Sequence, residues 1–245
     1  MSEVIFVGTS DAFGAGGRRQ PAILVRSARG AALLDCGPST LTGLASLGVP
    51  RDQVDSIFIT HYHGDHFGGV PLFLLAAKYA DLRTRPIVIA GPAGVREHIE
   101  AASRALGHPM DDSPWPFEIR YEELAAGKEV EGGPFGARAF EAFHQVETKP
   151  HGVMIDTGEH RIAYSGDTGW FEKLPARVKG ADLFITECTQ YEGNFPYHLN
   201  LLQLEKHKPE FDCDRIILTH LGTEMTDRRG KCSFETADDG LIIRL

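Results

Sequence analysis

The stretch His61-Tyr62-His63-Gly64-Asp65-His66 crowds three histidines and an aspartate into six consecutive positions, directly after an apolar run. On a helix, residues two apart do not face each other, and helical zinc motifs use i,i+4 pairs. In extended backbone, residues two apart share a side. His61 and His63 can therefore grip one cation from a strand end, and Asp65 and His66, after the permissive Gly64, can turn toward a second ion close by. Neutral imidazoles and a carboxylate suit zinc, and also manganese or iron.

Such a cluster needs elements that carry it. Strand patterns lie at 3–7, 22–25, 31–35, 56–60, 86–90, 138–142, 152–156, 161–165, 183–186 and 216–219. Helical patterns lie near 39–47, 71–80, 94–106 and 198–206, with Gly48 and Gly107 placed to end two of them and Pro71 suited to a first turn. An internal similarity stands out. DSIFITH (55–61), DRIILTH (214–220) and the weaker ADLFITE (181–187) repeat one pattern, and RIAYS (161–165) runs directly into Gly166-Asp167. Short, nearly continuous apolar runs are expected of strands covered on both faces. Each of these four finishes in His, Glu or Asp, which predicts that one sheet rim gathers them into a shared site.

HYHGDH resembles the HxHxDH motif of the metallo-β-lactamase superfamily, and the rest of the chain is similar in order and spacing. GTS (8–10) and DCG (35–37) precede the motif; FHQVETKPHG (143–152), YSGDTG (164–169), ITECT (185–189) and LTHLG (218–222) follow it. The resemblance covers nearly the whole chain and is nearest the ribonuclease Z-like branch, in which a late GDT and a TH flank a HEAT-like motif. It implies an α/β fold, the four-layered αβ/βα sandwich, with residues 1–245 as a single hydrolase domain and two divalent metal ions, zinc or alternatively manganese or iron. Carried over by position, His61, His63 and His144 would hold one metal, Asp65, His66 and His220 the other, and Asp167 would bridge them. A water held between such ions becomes a nucleophile at neutral pH, positioned by Asp65. Where the family's β-lactamases commonly have Cys or Ser, this chain has Asp167, which argues against antibiotic hydrolysis.

Several positions have competing readings. His144 ends an apolar strand, as the other ligand candidates do, whereas His151 sits where the next strand starts; His144 is preferred as the third ligand, with His151 beside the pocket or solvated. His198, in PYHLN (196–200), fits the histidine that follows the HEAT-like motif in the branch and would serve as acid or phosphate clamp. The bland alternative is a helix-start histidine, with Asn194 or a neighbour as the cap. Glu187, in the position of the HEAT glutamate, would orient His198, although TECT departs from HEAT at its first and third residues. The resemblance implies that Asp35 orients a ligand histidine through its free N–H. Cys36 reads as packing. GAGGRRQ (14–20) matches neither GxGxxG nor a P-loop and reads as a flexible loop on the rim, with Arg18 and Arg19 meeting an anionic substrate or simply solvated. His98, His108, His160 and His207 read as surface residues.

Composition bounds the rest. The 245 residues carry a formal charge of −9, and no long basic run offers the phosphate neutralisation that nucleic-acid affinity requires. The expected partner is a small anionic molecule rather than nucleic acid, and no segment approaches the length of a membrane span. The start MSEVIFVGTS lacks a basic n-region and a cleavage site. The four cysteines show no metal or disulfide spacing, so a reduced, cytoplasmic setting is expected. The segment 108–119 reads as a loop packed on the body through Trp115 and Phe117. PLFLLAAKYA (71–80) is apolar enough for the homodimer contact that relatives use, or for the core.

The leading expectation is a binuclear metal-dependent phosphodiesterase acting on a small or cyclic phosphodiester. The alternatives are a lactone or thioester hydrolase, a tRNA 3′-processing endonuclease and an iron-dependent oxidoreductase. The long Gly/Pro-rich arm of ribonuclease Z enzymes is missing between His108 and His144, which disfavours tRNA.

Overall fold

The computed structural model describes residues 1–111, 114–193 and 195–245. The elements, in chain order, are β1 (Glu3–Gly8), β2 (Ala22–Ser27), β3 (Gly30–Leu34), α1 (Thr40–Ser46), β4 (Ser56–Phe58), α2 (Gly64–Phe67), α3 (Val70–Tyr79), β5 (Ile87–Pro92), α4 (Val95–Ala105) and β6 (Ile119–Leu124). There follow β7 (Glu129–Gly132), β8 (Phe135–Glu141), β9 (His151–Asp156), β10 (Arg161–Tyr164), α5 (Leu174–Arg177), β11 (Leu183–Glu187), α6 (Leu201–His207), β12 (Ile216–Thr219), α7 (Thr223–Thr226), β13 (Glu235–Thr236) and β14 (Ile242–Arg244).

The strands form two seven-stranded sheets, ordered β14-β1-β2-β3-β4-β5-β6 and β13-β12-β11-β10-β9-β8-β7. Each is antiparallel on one side and parallel on the other. In the first sheet the parallel pairs are β3/β4, β4/β5 and β5/β6; in the second they are β10/β11, β11/β12 and β12/β13. The repeated sequence pattern thus falls on parallel strands of both sheets.

Alternation along the strands explains the layers. Val4, Phe6, Ile23, Val25 and Phe58 of the first sheet share a core with Ile155, Ile162, Ile185 and Ile217 of the second. Their neighbours Ile5, Val7, Leu24, Leu33 and Ile57 point the other way and pack with Leu44, Phe73, Leu74 and Ile99 of the helices. Ala163, Phe184 and Leu218 do the same on the far side, against Leu174, Leu201, Leu204 and Met225. The result is helices, sheet, sheet, helices, the four-layered αβ/βα sandwich expected from the sequence. A strand apolar on both faces loses its period-two signal, which is why these runs read as continuous.

Helix ends follow ordinary rules. Val95, Ile99 and Ser103 line the buried stripe of α4, and Gly107 ends it at φ 82°. The helix expected at 198–206 starts at Leu201, because Asn200 caps it by accepting the Gln203 backbone N–H at 2.8 Å. His198 therefore lies outside that helix; the alternative cap Asn194 lies outside the described residues. Trp115 and Phe117 pack on the α3 side as expected, while Asp112 and Ser113 of that segment lie outside the described residues. On α3 itself Val70, Phe73, Leu74 and Ala77 are buried, and Leu72 and Tyr79 are exposed. Among the described residues no helix is long and apolar enough to cross a membrane.

Candidate metal centre

In both sheets the carboxyl ends of the parallel strands face one rim, the place where open α/β sheets build sites. From the first sheet, β4 runs into Thr60 and His61, and α2 follows with Asp65 and His66. From the second, β10 delivers Asp167, β11 ends in Glu187 and β12 leads to His220. The chain after β8 is fixed by the antiparallel bridge Phe143 to Gly169, which sets His144 beside Asp167. The two rims touch: a Cβ on Gly166 (φ 57°) would lie 2.7 Å from the Cβ of Thr60. Asp35 (φ 59°) and His220 (φ 51°) also take the left-handed conformation, which Asp and His tolerate better than most residues and which swings their side chains off the strand line.

Two donor groups result. Ligand atoms of His61, His63, His144 and Asp167 lie within 4.8 Å of one another, as do those of Asp65, His66, Asp167 and His220. In the first, His63 Nδ1 is 3.1 Å from His61 Nε2 and 3.1 Å from His144 Nε2. In the second, Asp65 Oδ2 and Asp167 Oδ1 each lie 3.2 Å from His66 Nε2, and 3.3 and 3.4 Å respectively from His220 Nε2. Asp167 offers Oδ2 to the first group, 3.7 Å from His61 Nε2, and Oδ1 to the second. All seven sequence candidates for metal ligands are brought together. His151 is not; its Nδ1 donates to the Lys149 carbonyl at 2.9 Å.

Partners on the far side of each ring fix the protons. His144 Nδ1 donates to the Tyr197 carbonyl at 2.8 Å, and His66 Nδ1 donates to Asp35 at 2.7 Å. His63 Nε2 meets Gln145 Oε1 at 3.2 Å. The Thr60 hydroxyl donates to Asp35 and so accepts from His61 Nδ1. The Thr189 hydroxyl donates to Glu187 Oε2 at 2.8 Å and so accepts from His220 Nδ1 at 3.0 Å. Each imidazole thus spends its proton outward and turns a lone pair inward.

That inventory is the test of whether cations fit. Three lone pairs facing one another at 3.1 Å repel unless a positive charge sits among them, and buried His66 Nε2 and Asp167 Oδ1, 3.2 Å apart, make no well-formed hydrogen bond among the described residues. Burial opposes charge on His66 and His220, yet Asp167 and Asp65 outweigh it and raise both above the ordinary imidazole range. Burial likewise opposes ionisation of Asp65 and Asp167, and the surrounding histidines overcome it and hold both carboxyls well below the usual range. Burial and the neighbouring imidazoles push His61 down. Nitrogen and oxygen donors under concentrated negative charge suit divalent cations.

Beside the donors stands the Glu187–His198 pair. Glu187 is fully buried; its Oε1 accepts from His198 Nδ1 and from the Thr168 backbone N–H, both at 2.8 Å. Burial opposes a charged His198, but Glu187 prevails and lifts it to about 9. His198 Nδ1 is 3.9 Å from Asp167 Oδ2. TECT makes this coupling despite its departures from HEAT.

Other expectations change. Arg18 is buried, with its guanidinium on the Ala15 and Leu221 carbonyls and the Thr226 hydroxyl, and Arg19 bonds the Val7 carbonyl and pairs with Asp239. Both arginines anchor their loop rather than face a substrate. His98 stacks on Tyr62 with centroids 3.7 Å apart, and His207 stacks on Trp170 and meets Glu210. His160 Nδ1 lies 3.1 Å from the Ser2 hydroxyl; of the four, His108 alone is plainly exposed. Cys36 is buried, and burial pushes its thiol up to about 12. The sequence reading missed Thr60, Thr189 and Gln145, although all three stand in the quoted stretches DSIFITH, ITECT and FHQVETKPHG.

Comparison with known proteins agrees with this geometry. The description of the β-lactamase superfamily domain matches residues 32–221. The anti-Pycsar protein Apyc1 of Bacillus phage 010DV004 is 30% identical over 237 residues, covering 92% of this chain and 91% of its own. Ribonuclease Z of Methanothermobacter thermautotrophicus is 26% identical, covering 91% of this chain and 87% of its own. The crystal structure of the short form of human tRNase Z superposes with a TM-score of 0.80 at 24% identity, covering 99% and 98%. The chain belongs to the metallo-β-lactamase superfamily, as a metal-dependent hydrolase of its ribonuclease Z-like branch.

Proposed function

We propose that the chain is a phosphodiesterase acting on a small or cyclic phosphodiester. His61, His63, His144 and Asp167 would hold one divalent cation, and Asp65, His66, His220 and Asp167 a second; such ions supply Lewis acidity and a water nucleophilic at neutral pH. Asp65 and Asp167 fix where charge concentrates. Glu187 holds His198 through Nδ1, leaving Nε2 without a protein partner among the described residues, so His198 can carry a proton to a leaving oxygen.

The observation that carries the reading is the buried Glu187–His198 bond at 2.8 Å beside Asp167. An alkoxide leaving from phosphorus needs a proton, whereas a thiolate leaving a thioester does not. Relatives named as ribonucleases also act on phosphodiester linkages. Length of chain argues for a small substrate: only residues 106–118 connect α4 to β6, with no inserted arm.

A substrate panel on purified protein, with metal content measured on the same sample, tests this. Turnover of bis(p-nitrophenyl) phosphate with zinc or manganese bound is expected, without lactone or thioester hydrolysis. Turnover of lactones or thioesters alone, or bound iron with oxygen uptake, overturns the proposal.

A further inference from the structure

At the end of the sandwich away from the donor groups, where β3, β4 and β5 begin, a cavity of about 530 Å³ opens to solvent. Arg29, Arg85 and Arg120 line it, and Asp55 is its one carboxylate among the described residues. Asp55 is already engaged: Oδ1 accepts from Arg85 Nη1 at 2.8 Å, and Oδ2 accepts from the Ala31 backbone N–H at 2.9 Å. Arg85 is thereby fixed, and its Nη2 also donates to the Asp52 carbonyl. The guanidinium groups of Arg29 and Arg120 have no ion pair and no hydrogen bond among the described residues. That stands out in a chain with 34 acidic residues against 25 Lys and Arg. Arg26, Arg51, Arg177 and Arg215, by contrast, each hold a carboxylate within 2.8 Å. Arg29 nonetheless has a defined place: its Nη1 lies where a Cβ on Gly158 would come within 2.9 Å. Behind Gly133 of the cavity wall, the hydroxyl of fully buried Ser56 also lacks a hydrogen-bond partner among the described residues.

Three guanidinium charges against one carboxylate leave the cavity two positive charges in excess, and concave walls of low dielectric focus such a field. The planar fork of a guanidinium matches phosphate oxygens two at a time. No aromatic ring lines the cavity among the described residues, so charge rather than a ring face is what it can recognise. We propose that Arg29, Arg85 and Arg120 bind a small anion carrying two or more phosphate charges, of diphosphate type, at a site separate from the metal centre. The proposal does not depend on the phosphodiesterase reading. From Gly30 in the cavity wall, β3 leads to Asp35, and from Asp55 the chain runs through β4 to His61. About six residues of extended chain, roughly 20 Å, therefore separate the cavity from the donors, and a small anion in one does not reach the other.

The test titrates inorganic diphosphate into the metal-loaded protein, followed by calorimetry and by hydrogen exchange, with metal content checked throughout. Added protection at residues 27–31 and 119–121 is expected in the parent protein. Protection confined to residues 61–66 places the anion on the metals and overturns the proposal. In Arg29→Ala/Arg120→Ala the cavity protection should vanish and affinity there should fall at least about ten-fold, the worth of one charge-assisted hydrogen bond. Arg29→Lys/Arg120→Lys, which keeps the charges but not the fork, should restore part of it. Undiminished affinity in the alanine variant overturns the proposal, as does failure of the parent protein to bind. Neither guanidinium bonds to the protein, so both variants should keep the parent's Tm; a lower Tm makes these arginines part of the fold and overturns the site. ADP in place of diphosphate separates a nucleotide from a free anion. Binding at the cavity no tighter than that of diphosphate supports the proposal, and binding more than about ten-fold tighter overturns it.

Discussion

Replacing His198 with alanine should injure the enzyme in proportion to how badly the leaving group needs a proton. In the structure His198 is held through Nδ1 at 2.8 Å from Glu187, and its Nε2 has no protein partner among the described residues. General acid catalysis contributes about 10²–10⁴ in rate, or roughly 3–5 kcal/mol of barrier. That full loss is expected for an alkoxide leaving group, as in a nucleoside cyclic phosphate. With p-nitrophenolate, which departs without a proton, His198→Ala should lose about ten-fold or less. The fold should survive, because Glu187 keeps the Thr168 N–H and the Thr189 hydroxyl; one hydrogen bond to a charged group is lost, about 2 kcal/mol. The assay is kcat for both substrates on parent and variant, with metal content and Tm measured alongside. Equal losses on the two substrates, or an undiminished rate on the alkoxide substrate, would refute the assignment.

Further perturbations separate the parts of the site. His144→Ala should lower bound metal while His151→Ala leaves it unchanged, as read by elemental analysis; equal losses would break the distinction between them. Asp35→Asn, which weakens the brace on His66 and Thr60, should cost about 10- to 100-fold in metal affinity, measured by competition with a chromogenic chelator. Gly166→Ala must adopt φ 57° and crowd Thr60; a loss of at least about 1–2 kcal/mol is expected and read by chemical denaturation. Chelation should lower Tm, since ligands that bind only the folded state stabilise it by mass action; an identical Tm in chelator would count against ions in these groups.

How much was legible in the sequence depended on where each residue's information lies. The seven donors announce themselves because imidazoles and carboxylates at strand ends have few other uses, and buried parallel strands show as apolar runs. Strands β6 and β7 escaped notice: IRYEEL carries charge on both faces, as edge strands do, and EVEG is only four residues long, with both glutamates on its exposed face. The far-side partners were illegible for another reason. The Tyr197 carbonyl belongs to the backbone and exists at every position, and Gln145 finds His63 only after the chain past β8 folds back. Arg18 and Arg19 misled because a charge pair in a glycine-rich loop looks solvated, whereas here neighbouring carbonyls and Asp239 claim both.

Asp65 and His220 are 155 residues apart in the chain and come from opposite sheets. Neither half of the polypeptide can assemble both donor groups by itself. If the gene were cut between β6 and β7, the two pieces would stay mute when expressed separately and would regain ion capture only on meeting. The centre could then serve as its own reporter of whether the halves have joined.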